Sequence, residues 1–307
     1  MLEDQDNNAA VMQPSAVALA PIAPAQSIAP PSPVPAPGAE CPTCGAGAPG
    51  VPPSFVYALG KIEPRFPRVS VEKEFVQATG RTETANLTDR QTLQQVLSQP
   101  QNRYLARQLC WVMMIGGLET YLLYPRDPTD LSQLIEALRP TPQPGDLDLV
   151  IGMRGPLASP DLCNGLTVPI VAFDQLYSFD RAHLIGSIPR PEGTPEAQFT
   201  AVAEELFDRI VGIADNAGTS DEHRALNYLI VRYPRIYAAV AEANARGASL
   251  TSVDVRPSAL SGLRKVVEVI FSFTNRTTDV VEKQFVRVDV TEQFPFLVTK
   301  LSPYFDR

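Results

Sequence analysis

Apolar positions along this chain change period repeatedly, and each change marks an element. Phe55-Val-Tyr-Ala-Leu-Gly-Lys-Ile62 is dense in β-forming residues and predicts a first strand, which Pro64 and Pro67 end. Ser70 then starts a short helix through Thr79, with Val71, Phe75 and Val76 on one face and Gly80 as its stop. Thr88-Asp-Arg-Gln91 has the spacing of a capping box, and Leu93, Val96 and Leu97 follow as its buried stripe. Asn102 opens another short helix. In Cys110–Tyr124 the Gly116-Gly117 pair would weaken a helix at its middle, so the stretch predicts a buried hairpin turning at the two glycines. Leu131, Leu134, Ile135 and Leu138 recur at helical spacing. Leu147–Gly152 and Val168–Phe173 read as strands, with Cys163 in the loop between them. Phe199, Val202, Leu206, Ile210 and Ile213 trace the clearest helix. A second helix begins at Ser220 and is kinked or ended by Pro234, and Gly247 closes the segment. Lys265–Phe273 and Val280–Val290 flank a polar turn, with Val286, Val288 and Val290 alternating with Arg287 and Asp289. Strands and helices interleave without regular βαβ units. The expected class is α+β, with a mixed or mostly antiparallel sheet and packed helices.

Composition adds a different kind of segment in front. Twelve of the 30 prolines precede Ser54, and Glu40 is the only charged residue from Asn7 to Ser54. Such a stretch cannot bury a core and favours extended polyproline conformations. The expected organisation is a disordered Pro/Ala-rich linker over 1–40, a zinc-knuckle arm over 41–54 and a single α+β domain over 55–307. The net charge of −8 argues against a nucleic-acid surface or a polybasic membrane anchor. No basic, apolar secretory start is present, no apolar run approaches the length of a membrane helix, and four cysteines do not make a disulfide framework. A reducing, cytoplasmic setting is expected.

The candidate chemistry centres on Cys41-Pro-Thr-Cys-Gly45. Two thiolates two residues apart can hold one metal ion from a tight turn, as in a zinc knuckle. Closing a tetrahedral site takes two more ligands, and the remaining cysteines are Cys110 and Cys163. The working expectation is a structural zinc site of Cys41, Cys44, Cys110 and Cys163 that pins the arm to the folded body. Three alternatives stay open: a redox dithiol at Cys41 and Cys44, one zinc shared between the knuckles of a homodimer, and Cys110 and Cys163 as ordinary buried thiols.

Elsewhere the residues point away from catalysis. No phosphate-binding glycine loop occurs. His183 and His223 lack partners at ligand spacing and read as surface or capping residues. Gly218-Thr-Ser220 is reminiscent of the serine turn of subtilisin-like proteases, but Asp221 and Glu222 follow, which suits a helix N-cap. Asp146 with Asp148 reads as a strand-edge pair and Glu204 with Glu205 as a solvated helix face, and neither pair is given a role. Arg65, Arg81, Arg103, Arg107, Arg126 and Arg154 lie near turns. They read as structural ion pairs or, alternatively, as a groove for peptide carboxylates.

Longer blocks carry a resemblance. Cys41–Gly45, Phe55–Pro67, Glu72-Lys-Glu-Phe75, Leu87–Gln91, Asn102–Trp111, Gly117-Leu-Glu-Thr-Tyr121, Cys163-Asn-Gly-Leu166, Val168–Val171 and Phe173–Asp180 are similar to the C-terminal domain of cyanobactin maturation proteins of the PatA and PatG type. In those multidomain proteins an N-terminal subtilisin-like protease trims, or in PatG macrocyclises, a ribosomal precursor peptide, and the C-terminal domain has no assigned activity. The chain has no counterpart of the protease domain, so protease activity is not carried over. It is expected to be either a stand-alone version or a domain with its linker. The resemblance implies an auxiliary, non-catalytic domain that binds precursor peptide or the maturation protease. The alternatives are a zinc-assisted enzyme acting on the peptide and a redox-sensing CxxC protein.

Overall fold

β1 (Ser54–Arg65) is the strand on which the architecture turns. The computed structural model describes residues 54–305 apart from 83 and 85, so the expected linker and the Cys41–Gly45 arm lie outside the described residues. β1 is followed by α1 (Val69–Thr79), α2 (Asp89–Ser98), α3 (Arg103–Gln108), the hairpin β2 (Cys110–Ile115) and β3 (Leu118–Pro125), and α4 (Leu131–Ala137). Then come β4 (Asp146–Leu157), β5 (Pro169–Asp180), α5 (Arg181–Gly186), α6 (Glu196–Val211), α7 (Asp221–Arg232) and α8 (Arg235–Ala245). The chain ends in an antiparallel meander, β6 (Ala248–Pro257), β7 (Val266–Asn275), β8 (Val281–Asp289) and β9 (Phe296–Pro303).

The first five strands close into a barrel in the order β1-β2-β3-β5-β4, with β3 and β5 parallel and every other pairing antiparallel. Ser54 pairs with Arg154, Arg154 with Val171, Val171 with Leu123, Leu123 with Trp111 and Trp111 with Pro64. One circuit thus returns to β1 ten residues further along, the stagger that closure of a small barrel needs. Five Greek-key strands with a helix between β3 and β4 give the barrel the connectivity of an OB-fold.

β1 changes partner halfway, and its hydrogen bonds account for what surrounds it. Ser54–Gly60 pair with β4, whereas Lys61–Arg65 pair with β2. On the first half, the Tyr57 N–H donates to the Gly218 carbonyl at 2.8 Å and the Tyr57 carbonyl accepts from the Asn227 amide at 2.9 Å. On the second half, Ile62 N–H donates to the Asp148 carboxylate at 3.0 Å. Two residues on, Pro64 has no N–H to satisfy. Proline is tolerated there because that flank of the strand has no ladder partner. Pro64 therefore does not end the strand, which runs to Arg65.

Outward residues of the barrel, Tyr57, Leu59, Leu149 and Ile151, pack under α6, α7 and α8. The other side of this helical layer covers Val267, Val269, Phe271, Val286 and Val288 of the meander. Barrel-interior residues Val56, Ala58, Met113, Val150 and Phe173 share a second core with α1 to α4. β1, β4 and β7 read as nearly unbroken apolar runs because both their faces are covered.

The α+β class holds, but the strands divide between a mixed barrel and a separate antiparallel sheet. The Gly116-Gly117 hairpin forms, with both glycines at positive φ. The Thr88–Gln91 capping box is complete, and Ser220 caps α7. α1 differs: Arg68 precedes it without a side-chain cap, and Val76 is exposed rather than buried with Val71. Ile213 lies beyond the end of α6. α5, β6 and β9 went unforeseen, since each is short or only half covered.

Asp146 and Asp148 need the clearest correction. They lie on β4 between two partner strands, not at an edge, and both are buried. The Arg139 guanidinium bridges them at 3.5 and 3.3 Å and donates to the carbonyls of Leu147 and Phe179. Ser178 donates to Asp148 at 2.6 Å. Burial raises the Asp148 carboxyl above its ordinary value, against the opposing pull of Ser178, Arg139 and the Ile62 N–H.

Two predictions follow from β1. An added Cβ at Gly218, where φ is +70°, would lie 2.4 Å from the Tyr57 carbonyl oxygen, whereas at Gly193, with φ +79°, nothing lies within 4 Å. Gly193→Ala carries only the left-handed strain of about 1–2 kcal/mol. Gly218→Ala adds the clash and should cost roughly 2 kcal/mol more by denaturant unfolding. Equal losses would remove the contact's importance. Because the folded-state value of Asp148 is raised, its share of stability is present in acid and is lost as pH rises above about 4. Asp148→Asn should therefore flatten the fall of the unfolding midpoint over that window, and an unchanged slope would contradict the assignment.

Candidate functional site: a stapled loop and the groove beside it

The β4–β5 loop, residues 158–168, folds back over the outer face of the barrel. Its Ala158 and Cys163 join Cys110 and Val112 of β2, Leu122 of β3 and Ile170 of β5 in a small separate core. Cys163 is disulfide-bonded to Cys110, with Cα atoms 5.9 Å apart, and both are buried. The backbone at the loop's turn takes the shape its residues allow: Asn164 and Gly165 both have positive φ. In OB-type barrels, by analogy of fold alone, the face of strands two and three between the β1–β2 and β4–β5 loops is where ligands bind. Here the β4–β5 loop is stapled across it.

Of the four cysteines expected to meet, the structure brings Cys110 and Cys163 together as a disulfide. Cys41 and Cys44 lie outside the described residues. The sequence had offered four reduced thiols, and the pairing of two is a finding it did not contain. No group of three or more metal-ligating side chains occurs among the described residues.

Beside the staple, Arg65, Phe66, Glu119, Asn164 and Leu166 line a recess of about 280 Å³, with Arg65 ion-paired to Glu119. Phe66 also belongs to a larger groove of about 540 Å³ between the end of β1 and helices α1 and α2. Pro64, Phe66, Phe75, Val76 and Leu93 give it an apolar lining, and the Phe66 and Phe75 rings lie 5.4 Å apart. Glu63, Glu72 and Asp89 stand along it with Arg90. A third cavity, about 660 Å³, sits where β1 changes partner, against the hairpin tip and residues 211–217. Two of its polar side chains are already engaged: Lys61 donates to the Pro144 carbonyl, and Asn216 is paired with Asn227.

The six arginines do not gather. Arg65 pairs with Glu119 and Arg126 with Asp174 at 3.1 Å, while Arg103 and Arg107 ride on α3. Arg154 sits on β4 opposite Ser54, at the other end of β1 from Arg65, and Arg81 lies in the turn after α1. His183 and His223 each donate a backbone N–H to a helix cap, Asp180 and Ser220 respectively, and burial lowers the His223 imidazole's pKa. The Gly218-Thr-Ser220 turn is spent on docking against Tyr57 and capping α7. The groove was missed because Phe75 and Val76 were both assigned to one buried stripe. Adjacent apolar pairs such as Val96-Leu97 on α2 and Leu134-Ile135 on α4 are both buried, so the Phe75-Val76 pair carried no local signal that Val76 would face outward.

Comparison with known proteins places this geometry. The family model described as PatG C-terminal matches residues 193–304, the stretch that holds α6 to α8 and the meander. A solved structure titled "PatG Domain of Unknown Function" superimposes with a TM-score of 0.67 at 21% identity, covering 82% of this chain and 98% of that one. At that identity the likeness establishes the fold. No curated protein matches. Among the described residues no helix is long and apolar enough to cross a membrane.

Removing the staple should loosen the loop before the barrel. Cys163→Ser is expected to lower stability by about 2–4 kcal/mol in the absence of reductant. It should also speed amide exchange at Val112 and Leu122 relative to the α6–α8 layer. Uniform acceleration across the molecule would show that the disulfide does not act on the loop locally.

Proposed function

We propose that this chain is an auxiliary, non-catalytic domain in cyanobactin-type maturation of ribosomal peptides, binding the precursor peptide or the subtilisin-like protease that processes it. The PatG C-terminal match over 193–304 carries the biosynthetic part of the reading. The groove between β1, α1 and α2 supports the binding part, since it is an open apolar surface with charged walls of the kind that holds a peptide.

Zinc enters as part of the same proposal. With the disulfide reduced to two thiolates, Cys110 and Cys163 can share one tetrahedral zinc, whose sulfurs stand about 3.8 Å apart, a separation that their Cα spacing of 5.9 Å allows. Ser54 pairs with Arg154, four residues before the loop begins, and the ten residues from Cys44 to Ser54 span at most about 36 Å. Cys41 and Cys44 are thus tethered closely enough to complete a four-thiolate site. The disulfide favours a second reading, in which Cys41 and Cys44 form a redox dithiol beside it.

Calorimetric titration of the full chain with precursor peptide and, separately, with the maturation protease should give saturable heat with one of them, and silence with both would overturn the auxiliary role. Metal analysis after purification under reducing conditions should return one zinc per chain, lost on Cys110→Ser. Absence of zinc together with an intact disulfide by mass would leave the redox reading.

A further inference from the structure

We propose that the groove between β1, α1 and α2 is the peptide-docking site, and that its occupant is a partner's segment carrying apolar side chains next to Lys or Arg. This rests on the binding role proposed above and specifies where and by what chemistry it acts.

The apolar element is unusual for a surface. Val76 is 62% exposed although it sits beside Phe75 and Phe66, and Leu93 is only half buried. These side chains form a floor that nothing among the described residues covers. The charged element has one sign. Arg90 is the only cation lining the groove, and it is fully engaged: its guanidinium takes both oxygens of Glu63, at 2.9 and 3.2 Å, and donates to the Arg139 carbonyl. That leaves Glu72 and Asp89, both exposed and without an ion pair among the described residues. An apolar floor between two unspent carboxylates complements a segment that is apolar and basic, and repels one that is apolar and acidic.

The chain's own N-terminal arm does not fit this description. Residues 1–53 contain no Lys or Arg. The groove is therefore assigned to a separate polypeptide rather than to the arm.

The test uses the full chain and a fluorescein-labelled octapeptide of glycine, leucine, phenylalanine and two lysines, with a counterpart carrying glutamates in place of the lysines. Fluorescence anisotropy should show the basic probe binding at least tenfold more tightly, with an affinity that falls as salt rises. Glu72→Gln with Asp89→Asn should weaken it at least fivefold, and Val76→Ser, at an exposed position that folding does not need, should weaken both probes. Indifference to probe charge, or unchanged binding in both variants, overturns the proposal. If the precursor peptide or protease binds but these variants leave that binding intact, the auxiliary role stands and the groove falls. If the basic probe binds as described and neither maturation partner does, the groove stands and the auxiliary role falls.

Discussion

The structure depends on how one strand satisfies its backbone. β1 has two edges and two halves, and each of the four resulting segments has its own solution. β4 takes one edge of the first half, and Gly218 with Asn227 takes the other. β2 takes one edge of the second half, and Asp148 with Pro64 deals with the other. A buried strand with any of these partners missing would leave peptide groups without water or protein, which is among the largest local penalties a fold can incur. Barrel closure, the docking of the helical layer and the buried Arg139 cluster are all consequences of that requirement.

This dependence explains which features were legible in the sequence. The capping box at Thr88, the Gly116-Gly117 turn and the stripe of α6 are local patterns, and local patterns suffice to specify them. The partition of strands into two sheets is not local. The residues around Lys61 do not announce that β1 trades one neighbour for another, because the β1–β4 pairing stops at Gly60 opposite Asp148, and Asp148 is distant in sequence. The Asp146–Asp148 pair looked like a solvated edge for the same reason. Its partner, Arg139, precedes it across a loop, and only the folded barrel brings the three together.

The candidate site was legible in part. Cys163 was expected in a loop between strands, and it is there. That this loop lies back over β2, β3 and β5 has no signal in composition or period, because its apolar contacts are few and scattered between Ala158 and Val168. The groove has none either. Val96 and Leu97 are equally adjacent and both buried on α2, so the apolar pair Phe75-Val76 does not announce that Val76 faces outward.

The paired amides of Asn216 and Asn227 carry a further implication for the boundary of the recognised region. Both residues belong to the matched segment, yet Asn227 reaches out of it to hold the backbone of Tyr57. The folded unit is therefore larger than the stretch that the family model matches. Exchanging the helices of that stretch for another set would strip the Tyr57 backbone of both partners on its outward edge, so the helical layer and the barrel strand hold their shape only together.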